Sequence, residues 1–65
     1  MIKVNKKMLD EFLDLMDDLG EFVGFYTTKQ LKQQMEMVFN SQGYWSGCEY
    51  RIYYRNNHYV VENRF

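Results

Sequence analysis

The chain has 65 residues, with eight Lys and Arg against nine Asp and Glu and a net charge of −1. That length allows one core, so residues 1–65 read as a single small domain, and the charge balance gives no bulk attraction to nucleic acid or to an anionic membrane. One Cys and one His rule out an internal disulfide and leave a protein-only structural zinc site short of its four ligands.

A domain this small buries only about 60% of the surface its unfolded chain exposes, and small scaffolds usually recruit a disulfide, a metal or a second subunit. With the first two excluded, dense aromatic packing (six Tyr, five Phe, one Trp) and self-association remain, and a homo-oligomer, a homodimer in the simplest case, is expected. No apolar run approaches the roughly 18 residues needed to span a bilayer. The start, Met1-Ile2-Lys3-Val4-Asn5-Lys6-Lys7, lacks the apolar stretch and cleavage site of a signal peptide, so a cytoplasmic location is expected, with no membrane contact.

Leu9, Phe12, Leu13, Met16 and Leu19 recur at helical spacing and predict a first helix from about Lys6 to Leu19. Asn5 is placed to cap its start, and Gly20 to end it in a left-handed conformation. This helix carries an acidic run: Asp10, Glu11, Asp14, Asp17, Asp18 and Glu21, with no basic residue among them. Carboxylates stabilise helix N-termini and cations C-termini, yet Lys3, Lys6 and Lys7 stand at the start and Asp17 and Asp18 at the end. Lys6–Asp10 and Lys7–Glu11 are spaced to pair, which leaves residues 14–21 uncompensated. An arrangement opposed to the helix dipole points to an acidic interaction surface, the alternatives being chance or compensation by the basic outer face of a neighbouring subunit. Calcium is a poor fit, because helix-borne carboxylates do not wrap an ion.

Phe22-Val23-Gly24-Phe25 is too short for another helix and predicts a packed loop or a short strand. Thr27-Thr28-Lys29-Gln30 matches a capping box, with Tyr26 and Leu31 placed as a hydrophobic staple. The second helix then spans 28–40, with Leu31, Met35, Val38 and Phe39 as its apolar stripe. Tyr44-Trp45, flanked by Gly43 and Gly47, is an aromatic pair in a predicted loop; such rings either plug a core or anchor a binding hot spot.

Cys48 to Arg55 and His58 to Arg64 predict two strands joined by a two-residue turn at Asn56-Asn57, since Asn tolerates positive φ. The register sets Tyr54 opposite Tyr59, Ile52 opposite Val61, Arg51 opposite Glu62 and Glu49 opposite Arg64. Both opposite-charge pairs then share one face, and a one-residue slip destroys that segregation. The inner face is Cys48, Tyr50, Ile52, Tyr54, Tyr59, Val61 and Phe65; the outer is Glu49, Arg51, Tyr53, Arg55, His58, Val60, Glu62 and Arg64. A hairpin alone is marginal in water, so the helices must cover its inner face. The expected fold class is α+β: two helices packed on a C-terminal antiparallel hairpin, with residues 1–4 as a possible third strand.

The scattered glycines (20, 24, 43 and 47) form no phosphate loop, and no cofactor is expected. His58 beside a turn and an inward Cys48 lack the oriented second group that acid–base or nucleophilic chemistry needs, so no catalytic residues are assigned. The order of elements resembles winged-helix domains in outline only, because residues 20–26 leave no room for the helix that precedes their recognition helix. The expected function is a non-enzymatic protein-binding module: a regulator or inhibitor of a larger protein with a basic surface. Its contact residues are Asp10, Asp14, Asp17, Asp18, Glu21, Tyr44 and Trp45. Small size and segregated charge associate it with the accessory factors of bacterial viruses and mobile elements. The alternative, less favoured on a near-neutral chain, is nucleic-acid binding through Arg51, Tyr53, Arg55, His58 and Arg64, with the glutamines Gln30, Gln33 and Gln34 of the second helix reading adenine edges.

Overall fold

A computed structural model describes residues 1–63. Two helices, α1 (Lys6–Asp18) and α2 (Thr28–Ser41), precede a three-stranded antiparallel sheet of β1 (Trp45–Ser46), β2 (Tyr50–Arg55) and β3 (His58–Asn63), in the order β1-β2-β3. The fold is α+β.

The helix ends follow their local chemistry. The Asn5 side chain accepts from the Met8 amide at 2.8 Å and opens α1. At its end Gly20 takes φ +73°; the Gly20 amide donates to the Asp17 carbonyl and the Glu21 amide to the Met16 carbonyl, the paired bonds of a Schellman turn. Both halves of the capping box form at α2: the Gln30 amide donates to the Thr27 hydroxyl at 3.1 Å, and the Thr27 amide to the Gln30 side chain at 3.0 Å.

The hairpin register is the expected one, with Tyr54 opposite Tyr59, Ile52 opposite Val61 and Arg51 opposite Glu62. Asn56 (φ 52°) and Asn57 (φ 63°) both adopt the left-handed conformation that a type I′ turn requires. Alternation then divides the sheet. Trp45, Tyr50, Ile52, Tyr54, Tyr59 and Val61 face the helices, while Tyr44, Arg51, Tyr53, Arg55, His58, Val60 and Glu62 face away. Glu49–Arg64 pairing and the placement of Phe65 lie outside the described residues.

Phe12 lies at the centre of the core, fully buried, with its ring 5.1 Å from Trp45, 5.7 Å from Tyr59 and 6.4 Å from Phe39. One aromatic of α1 thereby ties α2, β1 and β3 together. Tyr59 adds a polar link, its hydroxyl donating to the Met8 carbonyl at 2.6 Å.

Three expectations are corrected. Residues 1–4 form no strand; the third strand is Trp45–Ser46, paired with Ile52 and Arg51. The N-terminal segment instead runs along α2. The Asn40 amide accepts from the Ile2 N–H (2.7 Å) and donates to the Ile2 carbonyl (2.8 Å), Glu36 accepts from the Val4 N–H (2.8 Å), and Val4 is buried. Of the two alternatives for residues 22–26, the loop is the one found. Cys48 is exposed: the Gly47 amide donates to the Tyr50 carbonyl, so residues 47–50 turn between β1 and β2 and inward alternation begins only at Tyr50. Leu13 is 39% exposed, because the buried stripe centres on Phe12 and rotates toward Met8 and Leu15, leaving Leu13 at its margin.

Candidate protein-binding surface

The segment between the helices carries the largest exposed rings among the described residues. Phe22 is 76% exposed and Phe25 67%, their centroids 6.1 Å apart, with Phe25 a further 4.5 Å from Tyr26. Phe22 and Phe25 point outward, whereas Val23 and Tyr26 pack against the core. The loop is fixed at both ends, by the Schellman turn at Gly20 and by the capping box at Thr27, and the Tyr26 amide donates to the Val23 carbonyl within it at 3.1 Å.

Gly24 sits beneath Phe22. A Cβ there would lie 2.7 Å from the tip of the exposed Phe22 ring, which would have to swing aside. The Phe22 ring thus rests on backbone while facing solvent. Holding an apolar ring exposed leaves its transfer free energy, roughly 1.5–3 kcal/mol for a large apolar side chain, unrealised in the free protein.

Phe22 forms a ridge between two shallow grooves. One, of about 320 Å³, runs along α1 past Leu9, Leu13 and Asp17; the other, of about 400 Å³, is bounded by Phe25, Trp45 and Tyr50. Glu21 lines both, and no Lys or Arg lines either. Burial, and after it the neighbouring Glu21 carboxylate, push the Tyr50 phenol up to about 12.

The acidic residues divide into two sets. Asp10 and Glu11 meet Lys6 and Lys7 at 4.0 Å in exposed i,i+4 pairs, which contribute little. Asp14, Asp17, Asp18 and Glu21 have no ion-pair partner among the described residues, and α1 has no basic residue in its last turn and no acidic one in its first. On the helical wheel Leu13 lies between the buried stripe and Asp10, Asp14 and Asp17. The acidic face therefore runs into the exposed Leu13 and on to Phe22.

Tyr44 and Trp45 do not act together. Trp45 turns inward against Phe12; Tyr44 lies on the far side of the sheet, 5.7 Å from Tyr53. Arg51 covers the Tyr44 ring at 4.6 Å and Arg55 the Tyr53 ring at 4.4 Å, so this face is a ladder of rings capped by guanidinium groups. Arg51 and Glu62 share their register position but form no ion pair within 4.0 Å; Arg51 takes the Tyr44 face instead. His58 is exposed, its Nδ1 3.1 Å from the Asn56 carbonyl. Arg64 lies outside the described residues. Gln30 is committed to the capping box, leaving Gln33 and Gln34 on α2.

Phe22 and Phe25 do not stand out in the sequence, since apolar letters between two helices read as core. No cluster of three or more His, Cys, Asp or Glu gathers to hold a metal among the described residues, and no helix there is long and apolar enough to cross a membrane. No family model, curated protein or solved structure matches the chain.

Proposed function

We propose that the chain is a non-enzymatic protein-binding module, a regulator or inhibitor that docks on a larger protein through Phe22 and Phe25 and their acidic margin. The observation that carries this is the pair of exposed phenylalanines held on a loop fixed at both ends. Pre-organised aromatic anchors lose little conformational entropy on binding and dominate interface energetics when they enter a pocket. Asp14, Asp17, Asp18 and Glu21 supply the steering field, so the partner presents an apolar pocket ringed by basic residues. Asp10, half-neutralised by Lys6, contributes at the periphery, Tyr44 lies on the opposite face and Trp45 serves the core. An unpaired thiol at Cys48 suits a reducing compartment, which supports the cytoplasm as the proposed location.

A second reading rests on the Arg51–Tyr44 and Tyr53–Arg55 ladder, where guanidinium planes could lie against phosphates or bases. It is the weaker one, because the arginines already occupy the ring faces on which bases would stack.

Site-directed photocrosslinking in the native cell separates the two. With a photoreactive phenylalanine analogue at position 22 or 25, we expect one protein adduct that weakens when Asp14, Asp17 and Asp18 are neutralised. Nucleic-acid adducts from position 53, with none from position 22 or 25, would overturn the protein-binding reading in favour of the second.

A further inference from the structure

The β3 strand lies at the open edge of the sheet: it pairs with β2 on one side and has no backbone partner on the other among the described residues. The alternating bonds of an antiparallel pair fix which groups face outward. With a two-residue turn, Arg55–His58, Tyr53–Val60 and Arg51–Glu62 are the hydrogen-bonded pairs, so the N–H and C=O groups of Tyr59 and Val61 point away from β2. Their side chains face the helices, yet both are only half-buried, as is Val60 on the other face. Neither proline nor a bulge blocks the edge, which is the usual protection of a free strand.

We infer that β3 pairs antiparallel with β3 of a second copy, with Val60 on the two-fold axis, to make a continuous six-stranded sheet. Only registers that keep inner side chains on the inner face are open, and three of these centre on the strand. Centring on Tyr59 sets His58 opposite Val60, and centring on Val61 sets Val60 opposite Glu62. Centring on Val60 sets His58 of each copy opposite Glu62 of the other on the outer face, and Tyr59 opposite Val61 on the inner face. The Tyr59 and Val61 groups that face outward then bond one another across the axis. The alternation of bonded positions is met in all three registers, so the complementary side chains, His58 with Glu62 and Tyr59 with Val61, select this one. A second copy completes the edge with the same surface it offers, as a two-fold interface requires. This pairing uses none of the residues of the Phe22–Phe25 surface and stands independently of it.

Disulfide trapping reads the register directly. Residue 60 occupies a non-hydrogen-bonded position facing its own copy, where Cα atoms approach to roughly 4.5 Å, within disulfide range. In a Cys48→Ser background, Val60→Cys is expected to form a covalent dimer under mild oxidation. His58→Cys alone and Glu62→Cys alone should stay monomeric in non-reducing gels, while a mixture of the two crosslinks. Sedimentation of the otherwise unaltered chain should show a concentration-dependent dimer, weakened roughly tenfold by His58→Glu and restored by His58→Glu with Glu62→His. Circular dichroism of each variant checks that the fold is retained. A monomer at every concentration would overturn the pairing and leave the edge for a strand from a different protein. A dimer in which position 60 does not crosslink would overturn it in favour of another self-contact.

Discussion

Tyr59→Phe removes one oxygen atom and tests the buried polar link between sheet and α1. In the folded protein the hydroxyl donates to the Met8 carbonyl at 2.6 Å, and the ring packs against Phe12, Phe39 and Tyr54. The Met8 carbonyl retains its helical partner, so the substitution orphans no buried group. At neutral pH the loss is that of one neutral hydrogen bond, about 0.5–1.5 kcal/mol. Alkaline pH reverses the balance. Burial, and then Tyr54 and Glu11, raise the Tyr59 phenol well above its ordinary value. In the unfolded chain the phenol ionises near its ordinary value of about 10. Above that pH the unfolded state has shed a proton that the folded state keeps, so stability falls as pH rises toward the folded value. The contribution is fully present below about pH 10, and a fully protected tyrosine then loses up to ~1.4 kcal/mol per pH unit. Tyr50, raised for the same first reason, destabilises parent and variant alike and cancels in the comparison. Urea unfolding followed by circular dichroism should show Tyr59→Phe less stable than the parent at pH 7, with the difference closing or changing sign by about pH 11.5. A gap that stays constant across that range would refute the assignment of Tyr59 as a buried, proton-retaining donor.

Three further substitutions have definite outcomes. Gly47→Ala drives a methyl group into the Tyr50 ring, so Tyr50 must leave the core; we expect a loss of about 1–3 kcal/mol, read as a lowered melting temperature. A double-mutant cycle on Arg51 and Tyr44 should give a coupling of about 0.5–1 kcal/mol, whereas the cycle on Arg51 and Glu62 should give little, because the guanidinium sits on the ring and not on the carboxylate. Asn40→Ala should strip hydrogen-exchange protection from the Ile2 amide while the hairpin amides keep theirs, at a cost of about 1 kcal/mol.

The parts of this fold legible in the sequence are those whose cause lies within a few residues. Asn5, Gly20 and the Thr27–Gln30 box act over three or four positions, and the Asn56-Asn57 turn sets the register of β2 against β3. The parts that were not legible depend on distant groups. A two-residue strand at Trp45–Ser46 has no alternation to display, and the course of residues 1–4 is set by Asn40 and Glu36, more than thirty positions away. Cys48 was misplaced because β-rich composition begins before alternation does; the Gly47–Tyr50 bond is what starts the strand. The same logic governs the candidate surface. The acidic run is plain in the sequence, but Phe22 and Phe25 become distinguishable from core residues only once Val23 and Tyr26 have taken the inward positions. Tyr44 and Trp45, adjacent in sequence, part because alternation in a strand sends neighbours to opposite faces.

The acidic end of α1 offers a test that separates folding from binding. Asp17 and Asp18 lie in the last turn, where the carbonyl end of the helix dipole already concentrates negative charge, and Asp14 stands one turn earlier. All three are exposed, and none has an ion-pair partner among the described residues. Their mutual repulsion and their conflict with the dipole oppose folding, and no ion pair among the described residues offsets that. Neutralising them as Asp14→Asn, Asp17→Asn and Asp18→Asn should therefore leave stability unchanged or raise it, by about 0.3–1 kcal/mol for each dipole conflict relieved. Salt supplies the internal check. Screening the same repulsion should raise the parent's melting temperature between low salt and about 0.15 M, where the Debye length has fallen to about 8 Å, and should move the triple variant less. The variant should also bind its partner more weakly, through a slower on-rate with reduced salt dependence, while its off-rate stays close to that of the parent. Phe22→Ser should do the opposite, raising the off-rate and leaving the salt dependence intact, since the ring makes contact only after encounter. A triple variant that unfolds would show that the carboxylates hold the helix end in place. One that folds and binds as the parent does would reduce them to a solvated face and leave the phenylalanines as the whole of the contact.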